Sequence, residues 1–182
     1  MIKFNVAAIN SCTEVEGPYK RLIIWFQGCN IHCDGCCNPT YQSLTPKYLL
    51  TLDELINIIK EAKEKYNIEG ITYSGGEPTL QQNLPVLTDE IHKLGLGVIS
   101  FTGHKYEDVK NILYNCDSVL DGEYDQSLND LNRVILGSTN QRIICLTNRY
   151  INVIEEWFNN KDNIYEINVK DNLILNGDYF KV

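Results

Sequence analysis

The stretch Gly28-Cys29-Asn30-Ile31-His32-Cys33-Asp34-Gly35-Cys36-Cys37-Asn38-Pro39 decides how the rest of the chain is read. It holds four of the seven cysteines, while Cys12, Cys116 and Cys145 are dispersed. Cys29, Cys33 and Cys36 are separated by three and then two residues. A loop that short can wrap three thiolates around one face of a cubic iron–sulfur cluster, and Gly35 lets its backbone turn tightly enough. Three thiolates leave one iron of a 4Fe-4S cube without a cysteine ligand, open to a chelating amino and carboxylate group. Zinc is the alternative, because a tetrahedral site wants four ligands and His32 or Cys37 can be counted toward them. Yet His32 adjoins Cys33 and Cys37 adjoins Cys36, a poor geometry for one ion, and no second cysteine pair occurs elsewhere. Cys37 reads as a neighbouring or buried thiol, and the dispersed cysteines as small hydrophobes.

Strands and helices alternate on either side of this loop. Arg21–Phe26 (RLIIWF) immediately before it reads as a buried strand. Thr51 and Glu54 form a capping box ahead of a helix carried by Leu52, Leu55, Ile56, Ile59 and Ala62. Residues 70–74 form a short strand that runs into Gly75-Gly76-Glu77-Pro78. Helices follow over 85–94, with Val86, Leu87, Ile91 and Leu94 on one face, and over 107–114. Further strands are expected at 96–102, 118–120, 142–146 and 166–169, with a helix over 151–158. Near the end, Asn176-Gly177 between apolar flanks predicts the turn of a short C-terminal hairpin.

Such alternation implies a parallel sheet covered by helices. Ligands in these architectures collect at the carboxyl ends of the strands. The cysteine loop follows the first clear strand and the Gly-Gly-Glu-Pro turn follows the next, so both belong to one sheet edge. Thr102 ends the third strand and Asp121 follows the fourth, which puts a hydroxyl and a carboxylate at that same edge. Each can bind a ligand there or simply cap a solvated turn. Asn38 directly after the cysteine loop reads as a loop cap.

The 182 residues suit one domain, 1–182, and 43% hydrophobic content supplies its core. A net charge of −8 with scattered acidic residues disfavours non-specific nucleic-acid binding. Residues 1–10 lack the apolar core and cleavage site of a secretory signal. The longest apolar run, Leu22 to Phe26, is far too short to span a bilayer. These features predict a cytoplasmic protein without membrane contact, whose cysteines are not paired as disulfides.

The three-cysteine loop resembles the signature of the radical S-adenosylmethionine superfamily. Ser74-Gly75-Gly76-Glu77-Pro78 resembles its second motif, which holds the methionine amino group. Within that superfamily the chain is similar to the activating enzymes of anaerobic ribonucleotide reductase. Glu16-Gly17-Pro18 with Arg21 resembles the Gly-Pro-Gly-x-Arg segment of glycyl-radical activases, although Tyr19 and Lys20 depart from it. Asp121-Gly122-Glu123-Tyr124-Asp125 and Gly137-Ser138-Thr139-Asn140-Gln141-Arg142 resemble further motifs of this branch.

The resemblance implies an incomplete, open (β/α) barrel. It implies a 4Fe-4S cluster on Cys29, Cys33 and Cys36. S-adenosylmethionine would be bound by Ser74, Gly75, Gly76, Glu77 and Pro78, with Thr102 and Asp121 contacting its ribose or methionine part. One electron, supplied by a donor such as flavodoxin or ferredoxin, would break the bond from sulfonium to the 5′ carbon. The resulting 5′-deoxyadenosyl radical would take hydrogen from a glycine of a glycyl-radical protein, such as anaerobic ribonucleotide reductase. Two other functions remain open at this point. One is a radical enzyme that modifies a peptide or nucleotide. The other is a non-catalytic iron–sulfur electron carrier, which leaves the Gly-Gly-Glu-Pro turn without a purpose. The polar segment 121–141 is expected to dock the partner or cover the site.

Overall fold

All six residues of Arg21–Phe26 are buried, as in a strand covered on both faces. The computed structural model describes residues 1–160, 165–169 and 173–177. The elements in chain order are β1 (Lys3–Thr13), β2 (Arg21–Phe26), β3 (Tyr48–Thr51), α1 (Leu52–Tyr66), β4 (Gly70–Gly75), α2 (Leu84–Lys93) and β5 (Gly97–Thr102). They continue as α3 (Tyr106–Leu113), β6 (Ser118–Asp121), β7 (Arg142–Cys145), α4 (Ile154–Asn159), β8 (Tyr165–Val169) and β9 (Leu173–Gly177).

Seven strands form one sheet in the order β3-β1-β2-β4-β5-β6-β7. β2, β4, β5 and β6 run parallel, joined by α1, α2 and α3. The sheet does not close, because β3 and β7 are its two edges. The incomplete open barrel expected from the sequence is therefore present, with one addition. β1, β3 and β7 are antiparallel to their neighbours and flank the parallel strands. β1 escaped the sequence reading because its apolar and polar residues do not alternate. Register shifts between Val6 and Ala8 and between Asn10 and Thr13 break the two-residue period.

α1 begins as predicted. The Thr51 hydroxyl accepts from the Glu54 N–H at 3.3 Å, and the Glu54 carboxylate accepts from the Thr51 N–H at 2.7 Å. Leu55, Ile59 and Ala62 are its buried row. In α2 the buried row is Leu84, Leu87, Thr88 and Ile91. Val86 was expected inward but is exposed, because the helix begins at Leu84 and position 86 falls off the stripe that this start defines.

One core lies between the helices and the sheet, with Phe4, Val6, Leu22, Ile24, Phe26, Ile71, Tyr73 and Val98 under Leu55, Ile59, Leu87, Ile91 and Leu113. The opposite sheet face is also covered in part. There Ile99 and Leu120 are packed under Leu136, Tyr150, Ile154 and Phe158. Trp25 lies on this second face with Ala7 and Ile23. Cys116 is buried in the first core, Cys12 packs against it and Cys145 packs against the second, as small hydrophobes do.

A short C-terminal hairpin is present, but Asn176-Gly177 is not its turn. Tyr165–Val169 pairs with Leu173–Gly177, and Asn176 and Gly177 are strand residues opposite Glu166 and Tyr165. The remainder of the predicted flank, 178–180, lies outside the described residues.

Arg21 is fully buried at the start of β2, at the opposite end of the strand from the cysteine loop. Its guanidinium donates to Thr72 Oγ1 (2.8 Å), the Ile71 carbonyl (2.7 Å), the Tyr150 hydroxyl (3.0 Å), the Pro18 carbonyl (3.2 Å) and Glu69 (3.3 Å). A buried charge is tolerated only when saturated in this way. The Gly17-Pro18 turn thus braces the barrel floor. Among the described residues, no helix is long and apolar enough to cross a membrane.

Candidate functional site

β2 and β4 pair in parallel register, with Trp25 opposite Ser74 and Phe26 opposite Gly75. The two loops that leave these strands therefore start side by side, and backbone hydrogen bonds join them. Gly76 N–H donates to the Phe26 carbonyl at 2.8 Å, and Glu77 N–H donates to the Gly28 carbonyl at 2.7 Å. The predicted shared edge is real. Gly75 has φ +107, and a Cβ on Gly76 would lie 2.1 Å from the Gly28 oxygen. Only glycine allows that approach.

Gly76→Ala is accordingly expected to force the loops apart at a cost of about 1–3 kcal/mol. Thermal unfolding of the metal-free chain measures this, and an unchanged Tm contradicts a tight junction.

The cysteine loop is held from its other side as well. Gly28 N–H donates to the Tyr41 carbonyl (2.8 Å) and Cys29 N–H to the Gln42 carbonyl (3.0 Å). Cys29 is buried, Cys33 and Cys36 are half-buried, and Cys37, expected to be neighbouring or buried, is exposed. Peptide amides donate to two of the three thiols. Ile31 N–H donates to Cys29 Sγ and Asn38 N–H to Cys36 Sγ, both at 3.4 Å. Burial pushes the Cys33 thiol up, and the nearby Glu123, Cys36 and Cys29 add to that. The Tyr124 backbone amide works in the opposite direction.

Three cysteine sulfurs on one short loop, two of them faced by a peptide donor, suit a cluster-bound thiolate set. Among the described residues, no three His, Cys, Asp or Glu side chains lie close enough together to hold a single ion. Asn38 caps the loop through its backbone, while His32, with φ +60, is exposed and 3.4 Å from Gln42 Oε1.

The Ser74–Pro78 motif splits into two parts. Ser74, Gly75 and Gly76 are half-buried and face accessible space, whereas Glu77, Pro78 and Thr79 are buried. Glu77 is 1% exposed and its carboxylate is engaged by the protein. Oε1 accepts from Thr79 N–H (3.0 Å), Thr79 Oγ1 (2.7 Å) and Thr102 Oγ1 (2.9 Å). Oε2 accepts from Gly103 N–H at 2.9 Å. Glu77 thus pins the end of β4 to the end of β5.

Thr102 and Asp121 lie opposite each other where β5 and β6 end. The structure brings both to the predicted edge, with their polar atoms turned to protein partners. Thr102 serves Glu77. Asp121 is fully buried, accepts the Tyr106 N–H at 2.7 Å and pairs with Arg142, whose Nε lies 2.9 Å from Oδ1. Gly103 was missed by the sequence reading, though a glycine directly after a strand end is a usable signal. A Cβ there would meet Ile31 of the cysteine loop at 2.5 Å.

Residues 121–141 are more ordered than their polar composition suggested. Arg133 binds Asp130 at 2.5 Å and the carbonyls of Ser138 (3.0 Å) and Gln141 (2.9 Å). Val134 and Leu136 are buried. An open cavity of about 740 Å³ lies between Asp34 of the cysteine loop and Glu123, Tyr124, Asp125 and Asn140.

Burial works against the charge of Asp130, but the Arg133 side chain and the amides of Asn132 and Arg133 outweigh it and hold the carboxyl below its ordinary value. A carboxyl depressed in the folded chain adds stability above its unfolded pKa of about 4. That contribution fades as pH falls through the lower folded value. Asp130→Asn is expected to flatten the acid limb of the stability curve below about pH 4, as followed by thermal unfolding at stepped pH.

Residues 15–144 match a family described as a 4Fe-4S single cluster domain. The anaerobic ribonucleoside-triphosphate reductase-activating protein of Enterobacteria phage T4 is 28% identical over 146 residues, covering 76% of this chain and 92% of that protein. The pyruvate formate-lyase-activating enzyme of Staphylococcus aureus strain USA300 is 38% identical over 84 residues, covering 44% of this chain and 34% of that enzyme. The chain thus matches about a third of that enzyme's length. The crystal structure of QueE from Escherichia coli has a TM-score of 0.51 and 16% identity, covering 69% of this chain and 73% of that one. That likeness is one of fold.

Proposed function

Since the chain belongs to the 4Fe-4S single cluster domain family, we propose that it is a radical S-adenosylmethionine activase that installs a glycyl radical on a partner protein. The junction of the two loops supports this reading best. Gly76 and Glu77 donate to carbonyls at the root of the cysteine loop, so a cofactor bridging cluster and Gly-Gly-Glu-Pro turn would meet a preset distance. An electron carrier has no need of that arrangement.

In this reading Cys29, Cys33 and Cys36 hold the cluster, and the backbone of Ser74, Gly75 and Gly76 receives the methionine ammonium. Glu77 and Pro78 brace that backbone from behind. Thr102 acts through Glu77, and Asp121 acts through Arg142 on the loop that follows β6. The bound 4Fe-4S cluster and S-adenosylmethionine supply reductive sulfonium cleavage and a 5′-deoxyadenosyl radical. The protein's own share is to orient the two and to leave one side open for a macromolecule, as a sheet with free edges does.

A glycyl-radical protein such as anaerobic ribonucleotide reductase is the partner we propose. The activating proteins of that reductase and of pyruvate formate-lyase are the named relatives. A flavodoxin or ferredoxin supplies the electron. A reducing cytoplasm suits seven free cysteines in a single 182-residue domain.

The test is anaerobic incubation of the reconstituted chain with S-adenosylmethionine, a low-potential reductant and candidate glycyl-radical proteins. A glycyl signal by electron paramagnetic resonance, together with 5′-deoxyadenosine, is expected. Formation of 5′-deoxyadenosine with a modified peptide or nucleotide, and no glycyl signal with any candidate, overturns the partner assignment.

A further inference from the structure

Two of the motifs singled out in the sequence, 121–125 and 137–142, are tied to each other rung by rung. Asp121 pairs with Arg142. Gln141 Nε2 donates to the Gly122 carbonyl (3.1 Å), and Asn140 Nδ2 donates to the Glu123 carbonyl (2.8 Å). Asp125 N–H donates to Ser138 Oγ (3.1 Å). Gln141 Oε1 in turn accepts the N–H groups of Gly137 (2.9 Å) and Ser138 (3.1 Å). The segments run antiparallel and are joined mainly by side chains, which makes a clasp without a β-ladder.

The one residue of this clasp's first strand that is absent from those rungs is Tyr124. Its ring is wedged between two glycines. A Cβ on Gly137 would lie 2.6 Å from its Cδ2 and 2.8 Å from its Cε2. On the other edge, a Cβ on Gly35 would lie 3.2 Å from its Cε1. Gly35 sits in the cysteine loop with φ +76, directly before Cys36. One residue therefore touches the cysteine loop at the turn before Cys36, while both of its chain neighbours are anchored to the second motif.

We propose that Tyr124 is a positioning residue for the cluster, its ring holding the cysteine loop at Gly35, directly before Cys36, from a clasp built by 121–125 and 137–142. This rests on Cys36 being a cluster ligand. Hydrogen bonds to ligand sulfurs, as Asn38 N–H makes to Cys36 Sγ at 3.4 Å, spread thiolate charge and raise the reduction potential of a cluster, so a loop released at Gly35 weakens that bond. The clasp thus acts on the cluster through geometry, with no side-chain ligand of its own. Gly35 and Gly137 are glycines here for steric reasons, because a methyl at either one meets the ring.

The test compares wild type with Tyr124→Ala, Tyr124→Leu, Tyr124→Phe and Gly137→Ala, all reconstituted anaerobically. Iron per chain, the midpoint potential of the cluster and its reduced spectrum by electron paramagnetic resonance are measured. Y124A, Y124L and G137A are expected to shift the midpoint to more negative values and to lose iron severalfold faster on exposure to air. Y124F keeps the ring and is expected to match wild type. Equal potentials and equal iron loss in all five proteins overturn the proposal. So does a shift in Y124F as large as in Y124A, which would assign the effect to the hydroxyl. Should Y124A not load a cluster, Y124L and G137A carry the same comparison. Failure of wild type itself to load a cluster would instead overturn the ligand assignment on which this rests, a result plainly different from equal potentials.

Discussion

Cys33→Ala is expected to abolish stable cluster loading and to reduce 5′-deoxyadenosine formation to background. The loop presents three half-buried or buried thiols, two of them, Cys29 and Cys36, accepting from peptide amides. Cys33 is the middle one of the three. Its removal leaves Cys29 and Cys36, with Cys37 exposed and next in sequence to Cys36 as the only other thiol of the loop. Iron and sulfide content and the visible absorption of the anaerobically reconstituted variant report loading, and chromatography reports 5′-deoxyadenosine. Full activity in this variant defeats the ligand assignment.

The second large effect is expected at Glu77. Its buried carboxylate accepts four hydrogen bonds from Thr79, Thr102 and Gly103. Glu77→Ala leaves these donors unpaired in a closed site, at a cost of about 3 kcal/mol or more. For a chain of this size that lowers Tm by roughly 6–12 °C. Glu77→Gln keeps an acceptor toward Thr79 and Thr102 but turns a donor toward the Gly103 N–H, so it is expected to fall between. Because Ser74, Gly75 and Gly76 face the accessible space and Glu77 does not, the alanine variant should lose S-adenosylmethionine binding along with stability, while the cysteine loop still loads iron at low temperature. Calorimetry on the metal-free chain and equilibrium binding on the loaded one separate the two. An unchanged Tm contradicts the bracing role.

Much of this was legible in the sequence because its signals were local. The parallel strands β2, β4, β5 and β6 are short apolar runs bounded by glycines or polar turns, and α1 carries its own capping box. Strand polarity then placed the cysteine loop and the Gly-Gly-Glu-Pro turn at one edge without further information. What escaped was non-local or irregular. β1 is a long antiparallel strand whose bulges scramble the alternation by which strands are recognised. β3 is only four residues long and lies at the sheet edge.

The Asn176-Gly177 pair carries the usual turn signal, yet pairing across the sheet places it within a strand, since register is chosen by the whole hairpin and not by a dipeptide. Glu77 was read as a ligand for an ammonium. Its partners Thr102 and Gly103 are a helix and a strand away in sequence, and only the packed structure brings them to the carboxylate. Tyr124 was likewise hidden, because its meaning depends on two glycines at 35 and 137 that share nothing in sequence.

The most direct measurement is the electron paramagnetic resonance spectrum of the reduced, anaerobically reconstituted chain before and after addition of S-adenosylmethionine, with iron counted per chain. The predicted result is one 4Fe-4S cluster per chain whose signal changes shape when the sulfonium compound binds its open iron. A bound zinc, or a cluster signal indifferent to that compound, would contradict it.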